Sequence, residues 1–251
     1  MTSSLTRPSS ASNESPEPAP GPLRRLAALY RSSVGRKYVM ALSGLAIIGF
    51  VIAHLVGTLK IFLGPEETDE YGEALRGLGG DLIPHGHLLW ILRLGLTAAF
   101  AVHMHAAFSL ERRNRIARGP RTMSHSDQLA ATFASRTMLW SGIIVALFIA
   151  FHVADLTWGA TSSDFVHGAV YDNQIRSFSN PLISLVYLAG VAALSTHLFH
   201  GLWSLFQTLA ITSPWLPQRV RRRIAATTAA AIGAGYASIP LAVLIGVLDA
   251  R

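Results

Sequence analysis

Apolar residues fall in five long runs, and polar or charged segments separate them. The runs cover about 38–63, 87–110, 136–158, 181–211 and 224–248, here spans I to V. Each has roughly the 20 residues that an α-helix needs to cross a hydrocarbon core. The pattern predicts an all-α membrane protein built as a five-helix bundle. Breakers mark the ends. Gly64-Pro65 closes span I, and Asn180-Pro181 opens span IV. Ser213-Pro214-Trp215-Leu216-Pro217 closes span IV, and Pro240 is expected to kink span V. The Ala/Gly-rich stretch 225–237 suits close helix packing. Residues 1–22, rich in Ser, Pro, Ala and Glu, read as a disordered tail. They lack the apolar core of a signal peptide. Residues 23–37 read as a basic interfacial helix, so the membrane unit runs over 23–251. No repeat of solenoid period is visible.

Composition agrees with the pattern. The 251 residues are 51% hydrophobic and 14% charged, and the mean hydropathy is +0.39, outside the range of an ordinary soluble domain. There is no cysteine. That excludes disulfides, thiolate-held iron–sulfur clusters in this chain and covalent haem attachment. The net charge of +7 does not point to nucleic acid, because the basic residues sit in loops. The N-terminal segment, the II–III loop (Arg118, Arg121, His125) and the IV–V loop (Arg219, Arg221, Arg222, Arg223) are basic. The I–II loop (Glu66, Glu67, Asp69, Glu70, Glu73, Asp81) and the III–IV loop (Asp155, Asp164, Asp172) are acidic. The positive-inside rule then puts the N-terminus in the cytoplasm and the C-terminus outside.

Histidine is the chemistry that the apolar runs carry. His54, His103, His152 and His197 each lie 16 residues into spans I, II, III and IV. At a 1.5 Å rise that is about 24 Å from the side where each span begins. Successive spans run in opposite directions. His54 and His152 therefore form an outer layer, and His103 and His197 an inner one. A single histidine in a span is readily explained by packing against a carbonyl. Four in two layers on four helices ask for a shared ligand, because ionisable groups are costly in lipid. Two bis-imidazole pairs, one above the other, suit two haems b in an electron wire. A haem-free transporter or proton relay is the competing class, but mid-span carboxylates are missing apart from Asp155 near an interface. His105 points about 200° away from His103, and His200 about 60° from His197. Geometry alone leaves both choices open.

Several stretches resemble a known family. These are 33–44 (SVGRKYVMALSG), 54–57 (HLVG) with 62–65 (FLGP), 112–118 (RRNRIAR), 151–157 (FHVADLT) and 197–208 (HLFHGLWSLFQT). Together they are similar to the cytochrome b558-type membrane anchor of succinate dehydrogenase and fumarate reductase, over about residues 30–212. The resemblance implies a five-helix bundle enclosing two stacked haems b, with His54 and His152 on the outer haem and His103 and His197 on the inner. It selects His103, seven before Leu110, over His105, and His197, four before Gly201-Leu202-Trp203, over His200.

The resemblance further implies a subunit of succinate:quinone oxidoreductase in a bacterial cytoplasmic membrane. The chain would anchor a flavoprotein and an iron–sulfur subunit and pass electrons through the haems to a quinone, with menaquinone the expected kind. A different partner dehydrogenase is the alternative within this class. Glu66 is the expected proton acceptor for quinone, against the plain reading of a solvated loop acid; His85 and His87 are alternatives. Arg93 is the expected partner of an outer-haem propionate. Arg36 and Lys37 stand in the same position inside, or bind lipid phosphate. Trp90, Trp158 and Trp215 read as interfacial aromatics. Gly44, Gly49 and Gly57 leave room beside His54 for a flat macrocycle or for a neighbouring helix.

Overall fold

The computed structural model describes residues 21–22, 24, 30–117, 125–209 and 216–249, without the side chains of 81, 117 and 125–136. Residues 1–20 of the predicted tail, residues 23 and 25–29 of the segment after it, Arg118, Arg121, Trp215 and the side chain of His125 lie outside the described residues. Those described form seven α-helices and no strand. They are α1 (Ser33–Thr58), α2 (Pro65–Arg76), α3 (His87–Ala117), α4 (His125–Leu156), α5 (Val170–Ser179), α6 (Pro181–Thr208) and α7 (Gln218–Leu244). Five are long and apolar enough to cross a membrane, α1, α3, α4, α6 and α7, which is the makeup of a multi-pass membrane protein. They carry spans I to V in order.

Local chemistry sets the boundaries. Ser32 caps α1 by accepting from the Gly35 amide at 2.9 Å, so α1 starts five residues before span I was expected to begin. Asn180 caps α6 through the Leu182 amide at 2.9 Å, with Pro181 in the first turn where its missing N–H costs nothing. Gly64 has φ +106°, a backbone that favours glycine, and it turns the chain from span I into α2. Helix α7 continues through Pro240 to Leu244.

The antiparallel neighbours α1–α3, α4–α6 and α6–α7 share the most extensive contacts. Helices α1 and α4 have little or no backbone contact, and neither have α3 and α6. The two sequential hairpins meet through a smaller contact between α1 and α6. Large apolar side chains such as Leu42, Val56, Leu94, Leu147 and Leu182 point outward. That costs nothing where the surrounding solvent is lipid.

The two acidic connections differ from their expected form as loops. Each contains a helix, and α2 and α5 pack together over one end of the bundle, here called the cap end. Pro65 starts α2, and Glu66 and Glu67 occupy its first turn, where the helix dipole favours carboxylates. Helix α5 buries Tyr171, Ile175 and Phe178 against Ile61, Tyr187 and Ile239. Asp69 fastens the two, accepting from the Tyr171 amide at 3.0 Å. On the exposed rim, hydrogen bonds from Arg76 and then His85 hold Glu73 below the usual carboxylate range. Gly57 is where α1 receives α2: a Cβ there would stand 2.4 Å from the Tyr71 ring. Gly57→Val should therefore lower stability by roughly 1–3 kcal/mol through overpacking. Thermal unfolding in detergent, compared with Gly49→Val at a position with open space, checks this.

Candidate functional site

The four mid-span histidines meet in two pairs. The rings of His54 and His152 are 5.7 Å apart, centre to centre, and cross at 79°. Those of His103 and His197 are 6.4 Å apart and cross at 74°. These contacts bridge α1 with α4 and α3 with α6, the helix pairs whose backbones stay apart. Gly44 of α1 lies against the His103 ring, and Gly142 of α4 against the His197 ring. In each helix the glycine is 10 residues from that helix's own histidine. The two layers are thus about 15 Å apart along the bundle.

Hydrogen bonds fix which ring nitrogen is free. The Tyr236 hydroxyl donates to the Val51 carbonyl at 2.7 Å, and the Thr58 hydroxyl donates to the His54 carbonyl at 2.6 Å. Each hydroxyl has one proton. Both also lie against His54 Nδ1, at 3.0 and 3.3 Å, where they can only accept. The proton of neutral His54 is therefore on Nδ1, and Nε2 keeps its lone pair.

The other layer repeats the device. His103 Nδ1 donates to the Met40 carbonyl at 3.2 Å. Beside it, at 3.3 Å, is the Ser43 hydroxyl, whose proton goes to the Val39 carbonyl at 2.7 Å. His197 Nδ1 lies 3.4 Å from the Ser141 hydroxyl, which donates to the Met138 carbonyl at 3.1 Å. That carbonyl also accepts from His197. His152 is positioned by rings instead, those of Phe148 at 6.1 Å and Tyr187 at 5.9 Å. Among the described residues, no hydrogen bond reaches Nε2 of any of the four.

This donor set fits a haem. Two metal–imidazole bonds of about 2 Å, plus about 1 Å from each nitrogen to its ring centre, place two axial rings about 6 Å apart. Both pairs have that spacing. Two imidazoles are too few to hold a bare metal ion, which takes four or more ligands. They suffice where a macrocycle supplies the rest.

The neighbouring histidines go elsewhere. His105 Nδ1 pairs with the Tyr30 hydroxyl at 2.5 Å. Tyr30 also receives Arg36, through its carbonyl at 3.2 Å and its ring face at 5.7 Å. Arg36 in turn reaches Ser109. His200 Nε2 lies 3.3 Å from the Thr137 hydroxyl. Arg93 is exposed and sits 5.1 Å over the Trp90 ring. Glu66 is exposed in the first turn of α2. His85 bonds Glu73 at 3.0 Å, and His87 bonds the Pro84 carbonyl at 3.1 Å.

An internal repeat underlies the symmetry. Met40, Ser43, Gly44, Phe50 and His54 recur 98 residues later as Met138, Ser141, Gly142, Phe148 and His152. In both copies the Ser-Gly pair seats the histidine of the next span, and the phenylalanine packs on the copy's own histidine, at 5.4 and 6.1 Å. Five matches at so long an offset escape a search for short periods. Comparing span I with span III directly reveals them. No family model, curated protein or solved structure matches the chain.

The repeat breaks where the cap attaches. The position of Gly57 is taken by Asp155. Asp155 is 3% exposed, and Ser177, Tyr187 and Thr161 all donate to it, the first two at 2.6 Å. It ties α4 to α5, α6 and the segment after α4. Removing a buried acceptor strands its donors at about 1–3 kcal/mol each. Asp155→Ala should therefore destabilise the protein by several kcal/mol, well beyond Ser177→Ala. Denaturation in detergent measures the difference.

Proposed function

We propose that the chain is the di-haem cytochrome b subunit of a succinate:quinone oxidoreductase. The observation that supports this most is the pair of bis-imidazole layers, about 15 Å apart, with Nδ1 protonated and Nε2 free in three of the four rings. A structural histidine can be held by the same kind of bond, but it does not need its second nitrogen left unbonded and facing another such nitrogen's ring. A ligand to iron does, and a ligating histidine characteristically donates its other ring N–H to an oxygen. The sequence motifs around His54, Arg112, His152 and His197 supply the family. The alternating loop charges supply the orientation, with the cap end outside.

In this reading, His103 and His197 hold an inner haem b, and His54 and His152 an outer one. The haems, when bound, carry single electrons across the apolar bundle. Two histidines at each haem would favour electron transfer over oxygen binding. Ser43, Met40, Ser141 and Met138 hold the inner imidazoles by their Nδ1 protons. Gly44 and Gly142 let those rings lie close against the adjacent helix. Partner flavoprotein and iron–sulfur subunits at the cytoplasmic end oxidise succinate. A quinone, menaquinone the expected kind, takes the electrons. Glu66, exposed at the cap, is the proposed proton exchanger for that quinone. Asp155 already serves three hydroxyl donors and is assigned to structure.

The decisive measurement is the reduced-minus-oxidised spectrum of the purified protein. The expected result is a b-type α-band with two haems per chain. His103→Ala should remove one haem, and His105→Ala neither. A careful preparation without haem sinks the reading in favour of a haem-free relay. Co-purification of a flavoprotein with succinate-oxidising activity separates this anchor from that of another dehydrogenase.

A further inference from the structure

We infer that Tyr236, on the one span without a histidine, is a positioning residue that tunes the outer centre alone. This rests on the haem reading above and adds a role for span V.

The three inner and outer rings with assigned tautomers are held differently. His103 and His197 are served by equivalent serine and methionine positions of the repeat, both on the helix that pairs with their own. His54 has no such partner. Its Nδ1 proton goes to Tyr236, brought in from α7, and to Thr58 one turn along α1. The Tyr236 ring is 5.8 Å from the His54 ring. Its own proton is fixed on the Val51 carbonyl, one turn before His54. One hydroxyl therefore bridges the backbone and the imidazole of the same helix.

The sequence around Tyr236 is shaped for this approach. A Cβ at Gly233 would collide with Ser195 Oγ of α6 at 2.1 Å. A Cβ at Gly235 would press on Leu55 of α1 at 3.0 Å. The two glycines let α7 settle against α6 and α1 together, with Ala229 and Ile232 packed on Leu198. His152, across the pair, has no counterpart of Tyr236 among the described residues.

An oxygen that accepts from Nδ1–H pushes electron density into the imidazole and makes Nε2 a stronger donor to ferric iron. That favours the oxidised state and lowers the potential. Losing the hydroxyl acts in the opposite direction, and only on the centre that contains His54.

The test is a potentiometric titration of the full chain, purified with whatever subunits accompany it, followed at the α-band and by electron paramagnetic resonance. His54→Ala identifies the outer component by its loss. Tyr236→Phe keeps the ring and its packing. The expected result is two haems bound, an upward shift of the outer potential, a moved outer resonance line and an unchanged inner component. Thr58→Val, which leaves α7 untouched, should shift the same component in the same direction. Two haems with the outer potential and line unmoved in Tyr236→Phe overturn the assignment while leaving the di-haem reading intact. Equal shifts of both components do the same, since they report a general loosening. Absence of haem from the unsubstituted protein overturns both.

Discussion

A polar ring inside an apolar bundle must place its N–H against an oxygen, because no water is there to take it. Most of the helix arrangement follows from that demand. The oxygens are backbone carbonyls or hydroxyls already bonded to backbone carbonyls, so each ring reads the register of a neighbouring helix. His103 reads α1 at Met40 and Ser43, His197 reads α4 at Ser141, and His54 reads α7 at Tyr236. Sliding any of these helices by one turn, about 5.4 Å, would strand a donor. The free Nε2 atoms are the other side of the same constraint, since a neutral imidazole with its proton committed at Nδ1 presents a lone pair at Nε2.

The recurrence of Met-Ser-Gly-Phe-His in spans I and III turns that device into an approximate two-fold arrangement. The members of each histidine pair occupy equivalent positions in the two hairpins. The pairs stack one above the other along the bundle. The departures from the two-fold are informative as well. The position three after the layer histidine is glycine in span I, where the Tyr71 ring must pass. In span III it is an aspartate gathering hydroxyls from three other segments. One position docks both cap helices, once by shape and once by charge.

Span V breaks the symmetry at a single layer. Having no partner in the repeat, it packs chiefly against α6 and also meets α5 and α1, with Gly235 lying against Leu55. A bundle of four helices would enclose two nearly equivalent sites. The fifth gives the histidine pair nearer the cap a different hydrogen-bond environment, with the Tyr236 hydroxyl beside His54.

The sequence by itself determined the five spans, because twenty consecutive apolar residues have few other solutions. It also determined the two histidine layers, because rise per residue converts position into depth. It did not show α2 and α5: their charged residues read as loop, and their burial depends on a cap that neither builds alone. Nor did it separate His103 from His105, or His197 from His200, without outside resemblance, since helical angle is meaningful only once a neighbour fixes which side is inside. The tertiary structure brings the rings of His103 and His197 together and sets His105 beside Tyr30 and His200 beside Thr137. It sent Arg93 to Trp90, and it turned Asp155 from a lone acid at the end of a span into a junction. Partners of this kind come from helices distant in the chain, here as far apart as Val51 and Tyr236, and only packing brings them within hydrogen-bond reach.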